Sequence, residues 1–172
     1  MSLLGAALLF LFTAGFTACD DNDDKIWDIY PIVLSISVQD AQGNDLLNPE
    51  TPGSIAHRGI KAVYRGETYQ KDSIAKYTKA YLAFFYGVYT CKNDQGNYYL
   101  AVGEFDGAHT FDNEQVVIDW NDGTADTFSF SNKMHWNWKK EPVFDRAFFL
   151  NGVKADSSYG EFTVVKKPAP GN

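Results

Sequence analysis

Cysteine is scarce in this chain of 172 residues: Cys19 and Cys91 are the only two, too few for a disulfide framework. Histidine is nearly as rare. His57, His109 and His135 stand far apart, with no HxxxH or HxH pair that would carry a metal at short spacing. Basic charge is in deficit, 15 Lys+Arg against 22 Asp+Glu for a net charge of -7, which removes nonspecific attraction to nucleic acid or anionic lipid. The one Gly-Ser step, Gly53-Ser54, lacks the flanks of a GxSxG nucleophile elbow, and no glycine loop of the phosphate-cradling kind is present. No cofactor is implied.

Long apolar runs are also few, and the longest is at the N-terminus. Leu3 to Phe16 reads LLGAALLFLFTAGF without a charge, long enough for a secretory leader core and short of the ~20 residues that span a bilayer. Behind it come Phe16, Thr17, Ala18 and Cys19, then the acidic run Asp20, Asp21, Asn22, Asp23, Asp24. This arrangement resembles the lipobox of bacterial lipoproteins, and the acidic run is similar to the export signal of Bacteroidetes surface lipoproteins. The resemblance implies cleavage before Cys19, lipidation of its sulfur, and a surface-exposed outer-membrane location in the cell envelope. Phe16 replaces the usual aliphatic residue, and no Lys or Arg precedes the apolar core. A buried first helix and an ordinary cleaved secretory signal are the alternatives for the same stretch.

The expected organisation is a signal peptide at 1–18, a lipidated acidic tether at 19–28, one β domain at 29–166 and a tail at 167–172. Ile32, Leu34, Ile36 and Val38 alternate with polar positions, the period of a half-buried strand. GIKAVYRGETYQ predicts two short strands around Arg65-Gly66, and Asp72 is placed to cap a short helix through Ala80. YLAFFYGVYTC, apolar on both faces, predicts a central strand covered on both sides, joined through KNDQGN to NYYLAVGEF. EQVVIDW and TADTFSFS predict a second hairpin, and DRAFFLNG with YGEFTVVK a third around Asn151-Gly152. Eight or nine such strands predict an all-β fold, an antiparallel β-sandwich of immunoglobulin-like style. DWNDGT is similar to the WDFGDGT hairpin of polycystic-kidney-disease-type immunoglobulin-like modules.

Several residues are candidates for chemistry. In MHWNWKK, Trp136 and Trp138 would share one face of a strand, either as core or as a platform for sugar rings. Glu104 and Asp106, two apart, with His109 nearby, are the acid and base candidates of a small hydrolase, against a solvated strand end. Asp119, Asn121, Asp122 and Asp126 crowd one hairpin with oxygen ligands that could hold calcium or simply make a turn. Asp72-Ser73-Ile74 is similar to the O-glycan acceptor of exported Bacteroidetes proteins, with Ser73 the glycosylated position. The function expected is a noncatalytic binding or assembly module held to the membrane through Cys19, its partner a glycan or an outer-membrane protein. The alternatives are a secreted hydrolase of polysaccharide or peptide, and a structural subunit that joins partners by strand addition.

Overall fold

The computed structural model describes residues 25–73 and 83–166. Cys19, the helix expected to end at Ala80 and the tail lie outside the described residues. The described chain is all-β, with ten strands and no helix: β1 Ile32–Gln39, β2 Lys61–Tyr64, β3 Glu67–Gln70, β4 Val88–Lys92, β5 Tyr98–Phe105, β6 Phe111–Asp119, β7 Ala125–Trp136, β8 Pro142–Leu150, β9 Val153–Lys154 and β10 Glu161–Val165. They form a four-stranded sheet, β10-β1-β5-β4, and a six-stranded sheet, β3-β2-β6-β7-β8-β9. All neighbours are antiparallel except β1 and β10.

The sheets face each other across one core. Leu34, Ile36 and Val38 of β1 are fully buried while Ser35 and Ser37 are half-buried on the other face. Each such aliphatic contributes roughly 1.5–3 kcal/mol on leaving water. Aromatic rings bridge the layers: Phe105 meets Phe130 at 4.8 Å between centroids, and Phe128 meets Phe162 at 4.9 Å. Both contacts are edge-on, the geometry ring quadrupoles favour. At one end Trp120 is fully buried, its indole N–H donating to Asp126 at 2.7 Å and the Lys166 ammonium lying 4.6 Å from its ring centre.

Two expectations from the sequence are corrected. YLAFFYGVYTC is not a central strand. Regular pairing begins only at Val88, and β4 is an edge strand. Residues 83–87 follow β5 irregularly, Glu104 N–H donating to the Phe84 carbonyl and Tyr86 N–H to that of Gly103. Gly87 causes the break: its φ is +94°, and a Cβ there would lie 2.9 Å from that of Tyr69. Phe85 turns inward between Tyr64 and Tyr69, so the run is apolar on both faces without being covered on both.

The third hairpin is shorter than expected and has a different partner. Asn151 and Gly152, both at positive φ, return β8 only to Val153–Lys154. YGEFTVVK then crosses to the smaller sheet and pairs parallel with β1, Ile36 opposite Phe162. Gly160, with φ of +76°, lets the chain pass against Phe148 and the Val33 carbonyl. In that place, on the smaller sheet, Phe162 and Val164 are buried, and the Phe162 ring meets Phe128 and Phe148 of the larger sheet across the core.

Candidate functional site

The larger sheet outruns the smaller one. β7 continues past the core as Asn132, Met134 and Trp136, paired with Arg146, Phe144 and Pro142 of β8. Asn132 marks the edge of the core. It is buried, donates to the Gly107 and His109 carbonyls and accepts from Arg146 Nε at 2.8 Å. Burial holds the Arg146 guanidinium below its ordinary value, as expected for a cation withdrawn from water.

Beyond this polar layer the chain turns on Asn137. Its side-chain oxygen accepts from Lys139 N–H and Glu141 N–H, and its amide donates to the Glu141 carboxylate at 2.9 Å. These bonds satisfy the turn from within and take Lys140 to a φ of +58°. Trp138 therefore stands on a closed turn, 87% exposed, with the Lys139 ammonium 5.2 Å from its ring centre, and Trp136 is 52% exposed. Neither indole is core. Only Trp136 belongs to the strand; Trp138 lies in the turn, so the shared strand face expected from their spacing does not form.

The acid and base candidates do come together. Glu104, Asp106 and His109 line a depression of about 240 Å³ with Tyr64, Arg65 and Phe84. His109 N–H donates to the Asp106 carbonyl at 3.2 Å, a bond of the loop backbone; no side-chain hydrogen bond joins the three among the described residues. Asp106 accepts from Ala108 N–H and so shapes its own loop, while the His109 ring stands edge-on to Phe111. The volume is below the roughly 300–1,000 Å³ of most small-molecule sites.

Sequence reasoning missed the network beside them. Glu114 Oε1 accepts from the Tyr64 hydroxyl at 2.8 Å and from Arg65 Nε at 2.9 Å. Burial alone would raise the Glu114 carboxyl, but these hydrogen bonds and the Arg65 charge outweigh it and hold it below its ordinary value. Burial, then the bond to Glu114, pushes the Tyr64 phenol far upward. No spacing signal joins positions 49 or 50 apart.

Of the four residues proposed for calcium, Asn121 stands in the turn at a φ of +54° and the three carboxylates are engaged by protein donors. Asp119 caps Asn121 N–H and pairs with Lys61 at 3.2 Å; Asp122 holds the Thr124 N–H and hydroxyl and faces Arg58 and Lys166. Asp126 receives the Trp120 indole and the Asn151 amide. Among the described residues no three His, Cys, Asp or Glu side chains are placed to hold a metal. Ser73 is exposed, its hydroxyl donating to the Gln70 carbonyl at 2.7 Å.

A groove of about 1200 Å³ lies along β10 and β1, lined by Ser35, Ser37, Tyr99, Lys154, Glu161 and Thr163. β10 is an edge strand, and Val153, Tyr159 and Val165 beside it are 71%, 78% and 61% exposed.

The fold and the exposed indoles define an all-β protein with two packed sheets and an aromatic end. No family model, curated protein or solved structure matches the chain.

Proposed function

We propose that this chain is a lipoprotein of the cell envelope, anchored in the outer membrane through Cys19 and surface-exposed, whose immunoglobulin-like β-sandwich is a noncatalytic binding module. Its ligand is a glycan that stacks on Trp136 and Trp138. The observation that carries this reading is the exposure of both indoles beside a turn that Asn137 closes from within. Tryptophan in water leaves a large apolar ring unburied, and on a fixed turn it offers that ring at little entropic cost. The Lys139 ammonium and Glu141 carboxylate supply polar groups for hydroxyls. The 240 Å³ depression around Glu104, Asp106 and His109 is small for a polysaccharide cleft, which favours binding over hydrolysis.

A glycan array probed with wild-type protein and with the Trp136→Ala, Trp138→Ala double variant tests the platform. Binding that falls at least tenfold in the variant supports it; no glycan bound, or equal binding by both proteins, overturns it. Intact mass of the protein from its native membrane tests the anchor.

A second reading has its own observation. The β10 edge, with three exposed apolar side chains around it, suits a partner's extended strand. Thr163→Pro would block that pairing and leave glycan binding unchanged.

A further inference from the structure

Residues 25–28, read from sequence as the end of a hydrated tether, carry the wrong side chains for one, and so does Tyr30 at the start of the domain. Ile26 is 98% exposed, Tyr30 72% and Trp27 39%. Nor is the segment independent of the fold. The Tyr30 carbonyl lies against Gly107 in the β5–β6 loop so closely that a Cβ there would collide with it, and the Ile29 side chain would be 3.2 Å from that Cβ.

That loop is at the aromatic end. Strand β1 starts beside Phe105, β7 finishes at Trp136 and β8 begins at Pro142, all on this side of the core. Of the nine exposed large hydrophobic side chains among the described residues, six are here: Ile26, Trp27, Tyr30, Phe84, Trp136 and Trp138. The chain therefore leaves its domain through the end where unburied apolar surface is concentrated.

We propose that Ile26, Trp27 and Tyr30 form an interfacial foot that seats in the headgroup layer of the bilayer. The proposal rests on the reading of Cys19 as the lipidated residue. Ile26 follows Cys19 by seven positions, which extended chain limits to ~25 Å. A lipid-bound Cys19 thus keeps these side chains within reach of the interface. Trp and Tyr, with an apolar body and one polar group each, partition to that layer. In sequence Asp20, Asp21, Asp23 and Asp24 precede the foot and Asp28 lies within it, so seating depends on apolar burial in a zwitterionic surface and not on attraction to anionic lipid. The domain is then oriented with its aromatic end toward the membrane, and Trp136 and Trp138 meet their ligand at the lipid surface.

Full-length lipidated protein, reconstituted in phosphatidylcholine vesicles with or without lipids brominated just below the headgroup, tests this by tryptophan fluorescence. Wild type should show a bromolipid-quenched component that Trp27→Phe lacks, equal at low and high salt. Equal quenching in wild type and Trp27→Phe, with lipid present on Cys19 by mass, overturns the foot and leaves the anchor standing. A bare Cys19 overturns the anchor and the foot together. A quenched component that vanishes at high salt overturns the apolar seating argued here.

Discussion

The two ends of the sheets treat the same residue types in opposite ways. At one end Trp120 is covered, its N–H held by Asp126, and the carboxylates and amides of Asp40, Asn93, Asp122 and Asn151 are bonded to neighbouring chain. At the other, Trp136 and Trp138 are left in water although Asn137 closes their turn just as tightly. The difference lies in what stands opposite. Rings and aliphatics of the smaller sheet end at Phe105, while β7 and β8 run on without a facing layer. Turn chemistry fixes a backbone; only an opposing sheet buries a side chain.

The comparison is broken most directly by truncating each kind of indole. Trp120→Ala should cost about 3–5 kcal/mol, since it opens a cavity in a packed core, and chemical denaturation would show the midpoint fall. Next in size is Asn132→Ala, which strips partners from Arg146 and two loop carbonyls; a loss of about 1–3 kcal/mol is expected. An unchanged midpoint would mean that this polar layer does not close the core.

Glu114→Gln should cost about 1 kcal/mol at neutral pH, and its pH dependence gives the sign. The folded carboxyl lies below the ordinary value of 4.5, so its stabilisation is complete above that value and is lost as pH falls through the folded one. Wild type and variant should therefore differ in neutral solution and converge in acid; curves that stay parallel would show that the carboxylate's charge is not what the network uses. Smallest of all, Trp138→Ala should change stability by less than about 0.5 kcal/mol while weakening glycan binding. A large stability loss there would make Trp138 structural and end the contrast between the ends.

Much of the fold was legible along the chain. The alternation in β1 became its burial pattern, and the Arg65-Gly66, KNDQGN and Asn121–Gly123 segments turned as their residues require. Legibility failed where the partner was distant. YGEFTVVK follows an Asn-Gly turn and reads as its hairpin strand, yet Phe162 finds its burial beside β1, more than 120 positions earlier. The candidate site was half legible. Glu104, Asp106 and His109 do meet, being close in sequence, but Tyr64, Arg65 and Glu114 are brought together only by the β2–β6 pairing. Trp136 and Trp138 were visible as a pair, their exposure was not, and Trp27 gave no signal apart from its type.

By itself the sequence determined the all-β character and the turns that joined neighbouring strands, because period-two hydrophobicity and turn stereochemistry act over a few residues. Tertiary structure alone decided that β10 lies parallel to β1, that β4 is an edge, and that one end keeps its indoles in water. Each of those depends on which surfaces, far apart along the chain, are brought face to face and exclude solvent between them.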